Sequence, residues 1–468
     1  MSDEYDLIVL GGGPVGENVA DRAVQGGLTA VIVESELVGG ECSYWACTPS
    51  KALLRPAAAL RAAQAVRGID GGELDPAAVL ARRDWFVAEW SDAGQVKWLQ
   101  SAGIDLVRGH GRLTAEREVT VTTDDGARVL RARHAVAIST GSDAAIPDIP
   151  GLADARPWTS REATGAREVP ESLAVIGGGV VAVEMATAYA GLGAAVTVIA
   201  RTGLLGGMES FAGELVADGL RELGVDVRLN TGTTAVRRDD AGVTITTDAG
   251  EVTSAEVLVA TGRRPRSGDI GLDTVGLEPG RPIDVDDTMR VPGTDWLYAV
   301  GDVNGRVLLT HQGKYQARAA GDVIAARSRG EVVADQPWAR HVATADHAAV
   351  PQVVFSEPEV ASVGYTADAA RAAGLTVEVV DYDLGAVSGS GLHRDGYSGR
   401  ARMIVDADRE TVVGVTLVGP DVAELLHAAT IAVTAEVPIS RLWHAVPSYP
   451  TMSEIWLRLL EQYGRQSA

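Results

Sequence analysis

At 468 residues the chain is too long for one hydrophobic core, so two to four domains are expected. Its 63 acidic against 41 basic residues give a formal net charge of −22, which repels phosphate backbones and excludes nucleic acid as a partner, because Arg263-Arg264-Pro265-Arg266 is short and reads as a solvated loop. No stretch approaches the ~20 apolar residues of a membrane span, and the acidic start Met1-Ser2-Asp3-Glu4 is no secretory signal, which together predict a cytoplasmic protein.

The first element is the apolar run Asp6 to Leu10, read as a buried strand. It leads into Gly11-x-Gly13-x-x-Gly16, and a helix is expected from there to about Gln25, where Gly26 and Gly27 stop it. Ala30 to Val33 reads as a second strand that delivers Glu34. The glycine spacing gives a tight turn, close backbone approach to a pyrophosphate and close helix packing. The helix start offers free N–H groups and a positive dipole to the phosphates. Glu34 stands 23 positions after Gly11, where a carboxylate accepts hydrogen bonds from an adenosine ribose.

Just past this unit lie Cys42 and Cys47, the chain's two cysteines. In a reducing compartment a close pair is more often catalytic or metal-binding than structural. A structural zinc site wants four ligands and no second pair exists, so redox chemistry is expected and a metal site is not. Pro49, Ser50 and Lys51 can open a helix, and a cation beside a helix start lowers a thiol pKa. Tyr44 and Trp45 between the thiols either narrow the approach to Cys42, stack on a planar acceptor such as a quinone, or simply pack.

A second copy of the nucleotide unit follows. Leu173 to Ile176 leads into Gly177-x-Gly179-x-x-Ala182, a helix runs to Gly191–Gly193, and Ala195 to Ile199 delivers Ala200 and Arg201. Ala200 stands where Glu34 stood, again 23 positions after the first glycine. An acid at this point suits a free ribose 2′-hydroxyl, whereas a neutral residue followed by arginine accommodates a 2′-phosphate. The first site therefore suits FAD, and the second suits NADPH at least as well as NADH, unless Arg201 is only a surface residue.

The segment from Gly39 to Lys51, with its two cysteines, closely resembles the redox-disulfide signature of the class I pyridine nucleotide-disulfide oxidoreductases. That family includes dihydrolipoamide dehydrogenase, glutathione reductase, mycothione reductase and mercuric reductase. Ser139 to Ser142 with Ile149-Pro150-Gly151 resembles its crossover between flavin and nicotinamide domains, and Ala260 to Pro265 its return crossover. Tyr298 to Asp302 is similar to its second flavin motif, and the last ~120 residues, from about Val350, resemble its dimerisation domain in their mixed strand and helix patterns.

The resemblance covers essentially the whole chain. It implies an α/β fold with two Rossmann-like nucleotide-binding domains and a C-terminal α+β dimerisation domain. The implied segments are 1–148 (FAD, first part), 149–264 (NAD(P)), 265–340 (FAD/central, second part) and 345–468 (interface). It also implies a homodimer holding FAD and NADPH or NADH, with a Cys42–Cys47 redox disulfide. Cys47 would face the flavin and Cys42 would attack substrate, while Lys51 and Glu184 would pair near the reactive flavin nitrogen. Asp302 would bind the ribityl chain. Gly111, Thr140, Gly141 and Thr310 complete the implied cofactor set, with Gly262 at the return crossover.

The chain departs from the family near its C-terminus. Where disulfide reductases carry His-Pro-Thr-x-x-Glu, this chain has Tyr449-Pro450-Thr451 and Glu454. The family's His acts as acid/base and its Glu orients it; a His titrates near ~6.5 and a Tyr near ~10, so Tyr449 is a poor proton acceptor at neutral pH. Mercuric reductases resemble the chain in that Tyr and in an Ala-Arg pair, but they hand over metal with C-terminal cysteines that are missing here. His444, five residues earlier, either substitutes for that His or is a packed or surface residue. The expectation is an NAD(P)H:disulfide oxidoreductase, dihydrolipoamide dehydrogenase-like, acting on a small disulfide or dithiol. The alternatives are a reductase of quinones or other small acceptors, and a flavin-bound redox sensor that turns over slowly.

Overall fold

The structure, a computed structural model, describes residues 3–466. The chain forms two compact units. The first is built from Met1–Pro49, Asp84–Ala145 and Gly262–Asp346, and the second from Ser50–Arg83, Ile146–Thr261 and His347–Ala468.

The first unit is organised on a seven-stranded sheet. Ile104–Arg108, Ala30–Glu34, Glu4–Leu10 and Gly126–Ile138 lie side by side in parallel, in that order. Glu118–Thr123 and His110–Ala115 continue as an antiparallel meander, and Leu297–Ala299 adds in parallel to Gly126–Ile138. Leu7, Ile8 and Val9 are fully buried, as expected of a central strand covered on both faces. On one face pack the helices Pro14–Gln25 and Thr310–Ser328, through Val19, Ala20, Ala317 and Ile324. On the other lies a second cluster around Ile8, Leu113, Ile270 and Leu297.

The second unit repeats the parallel plan with Asp226–Arg228, Ala195–Ile199, Ser172–Ile176 and Glu256–Val259. A three-stranded antiparallel sheet, Thr233–Asp239, Gly242–Thr247 and Gly250–Ser254, follows in chain order. Its C-terminal part is a five-stranded antiparallel sheet in the order Pro351–Val354, Glu359–Gly364, Thr411–Gly419, Arg400–Asp406, Val377–Asp383. The helix Val180–Gly191, buried almost all round, packs into the core shared by these elements.

One sequence expectation is corrected. Arg263 to Arg266 is not a solvated loop: Arg263–Pro265 is a strand paired antiparallel with Ser142–Ala144. Arg263 donates to the Ser142 hydroxyl and carbonyl, both at 2.6 Å, so the charge run staples two chain crossings together. Among the described residues no helix is long and apolar enough to cross a membrane.

Candidate active site

In the first unit the glycine turn is built as its spacing dictates. Gly11 has φ +100°, and a Cβ there would lie 2.4 Å from the Ser139 carbonyl oxygen, so only glycine fits. A Cβ on Gly16 would lie 2.0 Å from the Gly11 carbonyl oxygen, and its absence seats the helix on the strand. Gly13 caps the helix without any side-chain cap, and the space around its missing Cβ is open apart from Gly40. The first-turn N–H groups are therefore left for an external anion. Glu34 closes the second strand, its carboxylate accepting from the Gly12 N–H at 2.6 Å and the Glu36 N–H at 2.7 Å.

The cysteines follow on two short-spaced helices. Cys42 lies on Gly40–Tyr44, and Cys47 opens Cys47–Gln64. Both are present as thiols, half-buried, with the Cys42 side chain hydrogen-bonded to that of Cys47. The Cys47 Sγ also meets the Thr310 hydroxyl at 3.3 Å, at the start of the Thr310–Ser328 helix. The bond to Cys47 and burial push the Cys42 thiol strongly up, while Thr310 and Lys314 pull it the other way.

Tyr44 is 1% exposed, and its hydroxyl donates to the Val38 carbonyl at 3.1 Å. Of the readings open for the two aromatics, Tyr44 takes the packing one. Trp45 meets it edge-on with ring centroids 5.6 Å apart.

Other expected flavin-side residues are spread around the same unit. Asp302 accepts from the Ser142 hydroxyl at 2.5 Å. The Thr140 hydroxyl donates to the Arg266 carbonyl at 2.6 Å. Gly141 and Gly262, both at positive φ, have open space where a Cβ would stand. Gly111 is different: it lies in the core, where a Cβ would come 2.8 Å from Leu10, so only its backbone is available to a ligand.

In the second unit, Gly177 has φ +138°, with a Cβ position 2.2 Å from the Ala260 carbonyl oxygen, and Gly179 caps its helix over open space. Ala182, the third position, is fully buried and brings helix and strand together. Ala200 is buried and Arg201 exposed at the strand end. The next turn of that helix carries Glu184, only 3% exposed. Its Oε2 pairs with Lys51 Nζ at 2.7 Å, and its Oε1 accepts from the Phe355 N–H at 3.1 Å. The Lys51 ammonium also lies 5.0 Å from the Phe355 ring centroid. Two residues 133 positions apart are thus joined in one part-buried ion pair.

The C-terminal residues are not joined in this way. Tyr449 is 76% exposed, whereas Glu454 is buried and one of its carboxylate oxygens has no hydrogen-bond partner. No hydrogen bond links the two among the described residues. His444 is exposed. Sequence reasoning passed over Phe355, which joins the Lys51–Glu184 pair through its N–H and its ring.

Both glycine cradles fit the phosphate-bearing cofactors of a two-nucleotide flavoenzyme: an uncapped helix start, an open Cβ position and a strand end of suitable charge at each. Residues 5–322 match the pyridine nucleotide-disulphide oxidoreductase family, and residues 350–459 match its dimerisation domain. The chain belongs to this family, and it is an FAD- and NAD(P)H-dependent flavoprotein disulfide oxidoreductase.

Its relatives include the dihydrolipoyl dehydrogenase of Haloferax volcanii, 32% identical over 97% of this chain and 95% of that protein. The mercuric reductase of Shigella flexneri is also 32% identical, over 97% of this chain and 80% of that protein. In fold it is similar to the HOCl-induced flavoprotein disulfide reductase RclA from Escherichia coli, with TM-score 0.83, 23% identity and coverage of 98% and 99% of the two chains.

Proposed function

We propose that the protein is a cytoplasmic homodimer that passes electrons from NAD(P)H, by way of FAD, to the Cys42–Cys47 pair and on to a small disulfide. The observation that carries this reading is the thiol pair itself. Cys42 is hydrogen-bonded to Cys47, and Cys47 touches Thr310 at the start of a long helix. A hydroxyl donor and a helix start both stabilise thiolate, which suits Cys47 as the inner, charge-bearing sulfur and Cys42 as the outer sulfur that meets substrate.

Bound FAD supplies a two-electron relay between nicotinamide and sulfur. The chain's own residues do the rest. Glu34 and the Gly11–Gly16 turn hold the adenosine end and pyrophosphate, with Asp302, Thr140, Gly141 and Thr310 along the remainder. Gly177, Gly179 and Ala182 form the nicotinamide nucleotide's cradle, and Arg201 stands free for a 2′-phosphate, favouring NADPH. Glu184 holds the Lys51 ammonium in place from a buried carboxylate.

A second reading, reduction of a quinone or another small acceptor, is favoured by Tyr449, because a phenol is a poor proton acceptor for an attacking thiol at neutral pH. The purified protein, assayed with NADPH and NADH against lipoamide, glutathione disulfide, mycothiol disulfide and menadione, separates the two. Disulfide turnover abolished in Cys42→Ala/Cys47→Ala supports the first reading. Menadione turnover that survives the double change, with no disulfide reduced by the parent protein, supports the second.

A further inference from the structure

Arg201 opens a loop that ends where the Ser210–Glu222 helix begins. The loop is rich in glycine, with Gly203, Gly206 and Gly207, and its Leu205 holds a left-handed φ of +51°. Glycines leave a backbone free, and a leucine keeps a positive φ only where its surroundings impose it. The shape of this loop is therefore set from outside.

At one end the loop is tied to the second glycine turn. The Leu205 N–H donates to the Gly178 carbonyl at 2.8 Å, and a Cβ on Gly178 would come 3.1 Å from the Gly203 carbonyl oxygen. At the other end it is pressed against the helix. A Cβ on Gly213 would lie 2.1 Å from the Leu204 carbonyl oxygen, so loop and helix start are in direct backbone contact.

That helix start is held in turn by the five-stranded sheet. Glu209, its N-cap, is 6% exposed and makes no side-chain cap to its own helix. Its Oε1 accepts from the Ala367 N–H at 2.7 Å, and its Oε2 from the Arg402 guanidinium at 2.7 Å. Arg402 lies on the Arg400–Asp406 strand and donates twice to Asp381, both at 2.8 Å. The buried Phe211 ring meets the Arg400 and Arg402 guanidinium groups, 4.5 and 5.1 Å from its centroid. Beside these groups is a cavity of about 600 Å³, lined by Gly203, Leu205, Gly206, Glu209 and Arg402 among others, so a released loop has room to move.

We propose that Arg402, within the segment that matches the dimerisation domain, is a positioning residue for the nicotinamide nucleotide: by holding Glu209 it fixes the 201–208 loop against the cradle of Gly177, Gly178 and Gly179. This rests on the reading of that cradle as the nicotinamide nucleotide's site. Without the guanidinium, a buried carboxylate is left with no cation, and turning it out to water costs less than keeping it in place. The helix start follows Glu209, and the loop loses its seat on Gly178. Arg402 itself touches no reacting atom. What is lost is nucleotide binding before and during hydride transfer alike, so affinity falls and the rate at saturation does not.

The test is calorimetric titration of the FAD-loaded protein with NADP+ and NAD+, paired with stopped-flow reduction by NADPH, in Arg402→Met, Glu209→Gln, their double variant and Gly179→Asp. Arg402→Met is expected to raise the NADP+ dissociation constant and the half-saturating NADPH by roughly 10-fold, with NAD+ affected alike and the limiting rate unchanged. Glu209→Gln keeps the shape, drops the charge and moves both values the same way; it carries the test if Arg402→Met fails to fold. The double variant is expected to add nothing to the larger single effect, because Arg402 acts through Glu209. Gly179→Asp sets a carboxylate at an uncapped helix start, where it repels a pyrophosphate, and so tests the cradle by itself. Weakened binding in Gly179→Asp beside parent-like binding in Arg402→Met and Glu209→Gln overturns the role of Arg402 alone. A fall in limiting rate without a change in affinity, or single effects that multiply in the double variant, does the same. Parent-like binding in Gly179→Asp overturns the cradle, and the role of Arg402 with it.

Discussion

At the scale of single residues, the site is asymmetric. Cys42 and Cys47 are hydrogen-bonded and supported by Thr310 in the first unit, and Lys51 is paired with Glu184 in the second. On the substrate side, Tyr449 is exposed, and Glu454 keeps a buried carboxylate oxygen unused. An imidazole at position 449 would restore an acid/base group near the working pH. Tyr449→His is therefore expected to raise kcat/KM for a small disulfide by roughly 10-fold or more, at the low end of what a positioned base contributes. Steady-state kinetics with lipoamide checks this. An unchanged value would mean that Tyr449 does not stand where substrate protons move.

The cysteine spacing was legible in the sequence because both thiols lie on one short segment. The bond from the Phe355 N–H to Glu184 was not, because it joins segments 171 positions apart. Tyr44 shows the reverse. Its type permitted stacking on an acceptor, and only its burial and its bond to Val38 decide for packing.

At the scale of elements, the two strand–helix–strand units carry the clearest written signal. Their glycines forced strand, turn and helix into register, and the observed strands Glu4–Leu10, Ala30–Glu34, Ser172–Ile176 and Ala195–Ile199 lie where apolar runs predicted them. The run Arg263 to Arg266 was misread because a charged strand that pairs only three residues has no apolar periodicity to betray it.

The difference between the units sits at their strand ends. Glu34 is engaged by two backbone N–H groups, whereas Arg201 is exposed after a buried alanine. If Arg201 meets a 2′-phosphate as proposed, removing its guanidinium costs a charge-assisted contact there and nothing at a 2′-hydroxyl. Arg201→Ala is accordingly expected to raise KM for NADPH by roughly 5-fold and leave KM for NADH unchanged. Equal effects on the two nucleotides would place the arginine outside the nucleotide's reach.

At the scale of the whole molecule, the first unit holds the mixed seven-stranded sheet and the thiol pair, carried on helices, with the start of the Thr310–Ser328 helix against Cys47. The second holds the other glycine cradle and the five-stranded sheet. The chain passes from one unit to the other within the Cys47–Gln64 helix, which begins with Cys47 and carries Lys51 a turn later. The fold class was written in the repeat of the two glycine motifs and in the family resemblance. The partnership of Lys51 with Glu184 and Phe355 was visible only in three dimensions, since three distant segments contribute to it.

The central claim is that the two cysteines store a pair of electrons beside the flavin. Anaerobic titration of the FAD-loaded protein with dithionite tests it most directly. The expected result is two equivalents, four electrons, per flavin in the parent protein, and one equivalent in Cys42→Ser/Cys47→Ser. One equivalent in both proteins would contradict it.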